Sequence, residues 1–275
     1  MKCFYHKSDL DGHCSGALIK LKNPECEMIG VDYADYVRDF KVQMGETVYV
    51  VDFRFPMDEM VWLSAFAKLH WIDHHKSSIE EARDIGFLAS GGQLLVIGQA
   101  ACELVWEYLC PDEKPPVPVW LLGRYDVWDH EDERVMPFQW GMRNFPDTLP
   151  DQMVFWADVI RSPTYFTEII NTGRTLLKYQ QVQDAKYAKG MAYEAEFEGV
   201  RAIIMNKAYA NSKAFDAVYD PEKHDIMVFF AIKPGQYKYT LFCDKPDIDV
   251  SEIAKRYGGG GHRGAAGFFS DKILI

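Results

Sequence analysis

The sequence predicts an α/β protein: a parallel-sheet N-terminal domain with helices on both faces, a helical connector, and a smaller C-terminal α/β domain. Three observations carry this. Short, continuously apolar runs end in acids or imidazoles and alternate with helical stretches, as strands buried on both faces do. A mainly helical, glycine-poor segment then runs from Pro150 to Lys189. Beyond it the pattern changes to strand-like runs joined by turn residues. The expected divisions are residues 1–149, a connector at 150–189, and 190–275.

The first apolar run, Lys2 to His6, closes on Lys7-Ser8-Asp9-Leu10-Asp11-Gly12, and small residues at helical spacing follow to Leu21. The β-branched run from Glu46 to Val51 ends at Asp52; Pro56 turns the chain, and Met57 to Ala67 reads as a helix. The next strand, through Leu69 to Ile72, delivers Asp73, His74 and His75, followed by Ser77 and Ser78, residues of the kind that begin helices. Gly92 to Leu109 reads as one long amphipathic helix. Pro115 to Leu122 is a further apolar segment, with Asp126 shortly after it. Asp129 and His130 read as solvated, since Glu131-Asp132-Glu133 continues as an exposed acidic face.

In the last third, Val200 to Met205, Ile226 to Ile232 and Tyr237 to Phe242 are strand-like, with a hairpin turn at Pro234-Gly235. Asp249 to Tyr257 reads as a short helix, started by Asp249 or Ser251. Six scattered cysteines with no C-x-x-C pair fit buried, reduced thiols of a cytoplasmic protein. No apolar run is long enough to span a bilayer, and no membrane partner is expected. Lys plus Arg total 30 against 41 acids, a formal charge of −11, which argues against gripping long nucleic acid. Simple solubility explains the same charge.

Parallel sheets gather ligands beyond the carboxyl ends of their strands, where Asp9, Asp11, Asp52, Asp73, His74 and His75 all fall. A carboxylate buried beside two imidazoles needs a partner, and a divalent cation supplies one. The mixed donors suit Mn²⁺ or Co²⁺ better than Ca²⁺, while Mg²⁺ prefers fewer nitrogens. Taken alone, adjacent histidines are equally often a surface pair. The second unusual stretch is Tyr257-Gly258-Gly259-Gly260-Gly261-His262-Arg263, then Gly264-Ala265-Ala266-Gly267. Successive glycines let backbone N–H groups converge on an anion, with His262 and Arg263 beside it. The competing reading is a tight turn.

Over nearly its whole length the chain resembles the DHH phosphoesterase superfamily with its associated C-terminal domain, as in nanoRNases, RecJ-type exonucleases and cyclic-dinucleotide phosphodiesterases. The motifs are His6-x-x-Asp9-x-Asp11-Gly12, Asp52, Asp73-His74-His75, Asp126, and the closing glycines with His262. The resemblance implies two divalent ions, usually Mn²⁺ with Mg²⁺ or Co²⁺ as alternatives, in a cleft between the domains. His6 and Asp9 would hold one ion, Asp11, His74 and Asp126 the other, and Asp52 both. His75 would point at substrate phosphate or the bridging water, and Asp73 would orient its neighbours. Gly259, Gly260, Gly261, His262 and Arg263 would bind substrate. Many members carry an Arg where this chain has Leu241-Phe242-Cys243, leaving Arg263 or Lys245 to make that contact.

The expected activity is hydrolysis of small phosphodiesters, such as short oligonucleotides or dinucleotides, by metal-activated water. The alternatives are hydrolysis of a phosphoanhydride or phosphomonoester, such as polyphosphate or a 3′-phosphoadenosine nucleotide, and a regulator that binds nucleotide without turnover. A homodimer is compatible with the sequence.

Overall fold

The computed structural model describes every residue except Ala34. The chain forms two compact units, Met1–Leu177 and Lys178–Ile275. The first unit runs β1 (Lys2–His6), α1 (Leu10–Lys22), β2 (Glu27–Val31), β3 (Thr47–Val51), α2 (Met57–Phe66), β4 (Lys68–Asp73), α3 (Lys76–Asp84), β5 (Gly92–Leu95) and α4 (Ala101–Leu109). Then come α5 (Val117–Asp126), α6 (Val135–Met142) and α7 (Met153–Arg161). The helix α8 (Pro163–Met191) runs through the boundary between the units.

The five strands form one sheet in the order β2-β1-β3-β4-β5, with every described pairing parallel. Alternate residues point to opposite faces, and each face has its own core. Cys3, Tyr5, Tyr49, Val51 and Ile72 pack with residues of α1, α4, α5 and α7. Phe4, Val48, Val50, Leu69 and Trp71 pack with Met60 and Leu63 of α2 and Ala82 of α3. Trp71 and Phe4 are fully buried; removing side chains of this size from water is worth about 1.5–3 kcal/mol each. Such burial on both sides is why these strands read as unbroken apolar runs.

The chain leaves β1 toward β2 on one side and β3 toward β4 on the other. Their connecting helices, α1 and α2, accordingly pack on opposite faces. The carboxyl ends of β1 and β3 therefore flank the point where strand order reverses, the crevice where open α/β sheets bind ligands.

Gly92 to Leu109 is not one helix. Gly92–Leu95 is an edge strand paired with β4, and α4 begins only at Ala101. Gly92 and Gly98 have φ of 132° and 89°, values outside the helical range, so no helix passes through either. Leu94 and Leu95 mimicked a helical stripe because a four-residue strand is too short to declare its own period. The apolar segment before Asp126 is the helix α5.

The second unit carries β6 (Tyr193–Phe197), β7 (Val200–Asn206), β8 (Ile226–Lys233), β9 (Gln236–Phe242), α9 (Val250–Arg256), β10 (Gly260–His262) and β11 (Ala265–Ser270). Its mixed sheet has the order β10-β11-β9-β8-β7-β6, with only β7 and β8 parallel among the described pairs. Asp249 caps α9, its side chain accepting from the Ser251 amide at 2.9 Å. All six cysteines are free, and all but Cys110 are buried. Among the described residues no helix is long and apolar enough to cross a membrane.

Candidate metal centre

Four backbone segments converge beyond the sheet. β1 ends in His6, and Asp9 begins α1 as its N-cap, accepting from the Gly12 amide at 2.9 Å. Gly12 is required by close approach: a Cβ there would lie 2.0 Å from the carbonyl oxygen of His6. β3 ends at Val51, and Asp52 turns inward at φ 56° while its amide still donates to the Ile72 carbonyl at 3.0 Å. Aspartate is one of the few residues that visit this left-handed region readily. β4 ends in Asp73, ahead of His74 and His75. Asp126 is the last residue of α5.

The side chains meet in three groups, each with its donor atoms within 4.8 Å of one another: His6, Asp9 and Asp52; Asp11, His74 and Asp126; and Asp52, His74 and His75. His6 Nδ1 lies 2.9 Å from Asp9 Oδ2 and 3.6 Å from Asp52 Oδ2. His74 Nε2 lies 3.3 Å from Asp52 Oδ1, 3.4 Å from Asp126 Oδ2 and 3.8 Å from Asp11 Oδ2. Asp52, 1% exposed, thus presents one oxygen to each histidine.

Two further carboxylates, besides Asp9, are fixed by backbone amides. Asp11 accepts from Ala101 at 2.9 Å and Cys102 at 2.7 Å, the first amides of α4, where the helix dipole favours an anion. Asp73 Oδ1 accepts from the amides of His74, at 2.7 Å, and His75, at 3.2 Å, and from His75 Nδ1 at 2.7 Å. That contact aims the Nε2 of His75 outward, 3.3 Å from the hydroxyl of Tyr33.

The donor set fits divalent cations on the structure's own terms. The donor atoms of each group lie within 4.8 Å of one another, and the buried His6 Nδ1 and Asp52 Oδ1 lack a well-formed hydrogen bond, which leaves them available as ligand atoms. Burial and the neighbouring Asp52 push the Asp11 carboxyl up to about 7, and burial with Asp11 does the same to Asp126. Burial alone would lower His6 and His74, but the surrounding carboxylates outweigh it and raise both to about 10. Crowded acids that hold protons and imidazoles that gain them mark a cluster short of positive charge.

Tyr33 and Asp32, at the end of β2, also reach this cluster. Asp32 Oδ1 lies 4.0 Å from His6 Nε2, and the ring of Tyr33 lies 5.5 Å from that of His6. Gly30 interrupts the short β2 run and hides this strand in the sequence; the strand's signal, Glu27–Val31, places both residues just past its carboxyl end. Asp129 and His130 are half-buried rather than solvated: Asp129 pairs with Arg124 at 3.4 Å, and His130 packs on Tyr125 and Trp128.

The glycine run is not a single loop. The amides of Gly258 and Gly259 donate to Lys255 and Ala254 at the end of α9, each at 3.0 Å, while Gly260, Gly261 and His262 form β10 against β11. Close packing demands the small residues: a Cβ on Gly259 would lie 2.2 Å from the Gly267 carbonyl oxygen. Arg263, in the turn, donates to the Lys245 carbonyl at 3.1 Å. The Lys245 ammonium is engaged by Asp225 at 2.6 Å.

No family model matches the chain. The uncharacterised protein R106 of Acanthamoeba polyphaga mimivirus is 22% identical over 280 residues, covering 96% of this chain and 57% of that protein. The chain thus spans little more than half the length of the curated relative it matches. Among solved structures, a pGpG-specific phosphodiesterase from Vibrio cholerae superposes with TM-score 0.58 at 14% identity, covering 98% of this chain and 92% of that one. The chain shares the fold of this phosphodiesterase. An exopolyphosphatase-related protein from Bacteroides fragilis shares it, with TM-score 0.52 at 12% identity over 97% of this chain and 85% of the other. At such identities the likeness is one of fold, and the chemistry has to be argued from the side chains.

Proposed function

We propose that the chain is a divalent-metal-dependent hydrolase of small phosphodiesters, with short oligonucleotides or dinucleotides as the substrate class and Mn²⁺ as the preferred ion. The observation that carries this reading is Asp52, buried between His6 on one side and His74 on the other, one carboxylate oxygen toward each. In this reading His6 and Asp9 hold one ion, Asp11, His74 and Asp126 the second, and Asp52 both. When bound, such ions supply Lewis acidity that activates water near neutral pH and offsets charge on phosphoryl oxygens.

The rest of the chemistry falls to the protein. Water adds to phosphorus as the bond to the ester oxygen breaks, and that oxygen needs a proton. His75 is placed to hold one at Nε2: its Nδ1 is bound to Asp73, and although burial lowers its basicity, the Asp73 carboxylate more than restores it. The amides of α4 keep Asp11 from swinging away. In the second unit, Gly259 to Arg263 are the proposed phosphate contacts, with His262 and Arg263 at the β10–β11 turn.

The two structures of similar fold support the class: one is a pGpG-specific phosphodiesterase, the other an exopolyphosphatase-related protein. The test is a comparison of Mn²⁺-dependent hydrolysis of a 5′-phosphorylated dinucleotide with release of orthophosphate from tripolyphosphate. Preference for the dinucleotide supports the proposal. Preference for tripolyphosphate transfers the site to phosphoanhydrides, and tight nucleotide binding without turnover leaves a regulator.

A further inference from the structure

α5 and α9 end in the same turn with different residues at its critical position. After α9, the amide of Gly259 donates to Ala254 and that of Gly258 to Lys255, with Gly258 at φ 75°. After α5, Asp129 donates to Arg124 at 2.8 Å and Trp128 to Tyr125 at 3.2 Å, with Trp128 at φ 62°. This paired closure normally takes glycine at its left-handed residue, because an L side chain there is strained. At Trp128 the chain accepts that strain for the bulkiest side chain.

The fold does not use the whole indole. Trp128 is 47% exposed, its buried part packing on His130, with ring centroids 4.6 Å apart, and on Tyr125 at 6.2 Å. Nor is the turn loose. Arg124 holds Asp129 at 3.4 Å, and Arg143 donates to the Tyr125 hydroxyl at 3.1 Å with its guanidinium over that ring at 5.2 Å. A strained residue pinned from both sides, with its ring half in solvent, marks a site where the strain serves something other than packing. Trp128 follows Asp126 by two residues, and the Asp126 carboxylate lies 3.4 Å from His74 Nε2.

We propose that Trp128 is a stacking platform for a nucleobase, so that the substrate of this centre is a base-bearing phosphate and not an inorganic phosphate chain. The inference rests on the phosphohydrolase reading for the site, but it concerns recognition and can be tested apart from turnover. Every base presents a π-face, and stacking on an aromatic side chain is worth enough to change affinity about tenfold or more.

The test compares AMP with ribose 5-phosphate, which carries the same sugar phosphate with an anomeric hydroxyl in place of the base, by calorimetric titration of the wild-type chain with Mn²⁺ and of the variants Trp128→Gly and Trp128→Phe. The wild type is expected to prefer AMP by about tenfold or more. Trp128→Gly should remove that preference while leaving ribose 5-phosphate binding unchanged, and it should melt at or above the wild-type temperature because glycine relieves the turn. Trp128→Phe should keep most of the preference. Equal affinities of the wild type for the two ligands, or a preference that survives in Trp128→Gly, would overturn the platform. If the preference is present and lost in Trp128→Gly while no phosphate ester is hydrolysed, the platform stands and the hydrolase reading falls.

Discussion

Asp52 Oδ1 lies 3.3 Å from His74 Nε2, and Asp52 holds that position from a left-handed backbone at φ 56°. Replacement by asparagine preserves shape, and asparagine also tolerates this φ. Asp52→Asn is therefore expected to keep its circular dichroism and melting temperature while losing Mn²⁺-dependent hydrolysis by at least about 100-fold, since charge stabilisation by the ions is worth several kcal/mol. A chelator should reproduce the loss in the wild type, and added Mn²⁺ should reverse it only there. Undiminished turnover in the variant would remove Asp52 from the centre.

Asp73 gathers three donors from His74 and His75 on one carboxylate oxygen. Asp73→Asn should reduce turnover roughly 10–100-fold, the usual effect of losing a group that orients ligands. The pH–rate profile should shift toward lower pH on its acid-dependent limb, because His75 loses the carboxylate that raises it. A drop in rate with an unmoved profile would assign Asp73 a purely structural part.

Gly12→Ala puts a methyl where only 2.0 Å separates it from the His6 carbonyl oxygen. The backbone of α1 must shift away from β1, carrying Asp9 and Asp11 with it. We expect a destabilisation of more than about 2 kcal/mol in urea unfolding and weaker Mn²⁺ binding. A variant as stable as the wild type would show that the helix can relax without cost.

In the second unit Asp225 accepts from Arg201 at 2.7 Å and from Lys245 at 2.6 Å, and these two cations hold its carboxyl well below the ordinary range. A depressed acid stabilises the fold above its unfolded value, and that stability is lost as pH falls toward the folded value. The unit should thus weaken from about pH 4 downward. Asp225→Asn should lower its melting point by roughly 4 °C at neutral pH, the response of a domain of this size to about 1 kcal/mol. In the variant, the melting point should depend less on pH below that point. Identical acid profiles for the two proteins would contradict the assignment.

Much of the site was legible because strand ends announce themselves. An apolar run that stops at His6, Asp52 or Asp73 places a polar group beyond a buried sheet whatever the rest of the chain does. Tyr33 was not legible, because β2 is half-exposed and carries Gly30. Nor was the anchoring of Asp11, which depends on α4 starting at Ala101, some ninety residues away.

By itself the sequence determined that β1, β3 and β4 are buried strands, where each stops, and that six acids and histidines fall at those stops, because burial on both faces demands continuous apolar runs. Tertiary structure alone decided that Gly92–Leu95 pairs as an edge strand, that Asp52 turns one oxygen to each histidine, and that a tryptophan closes α5 where glycine closes α9. Pairing, close approach and backbone handedness arise between segments distant in the chain, and no local pattern of residues encodes them.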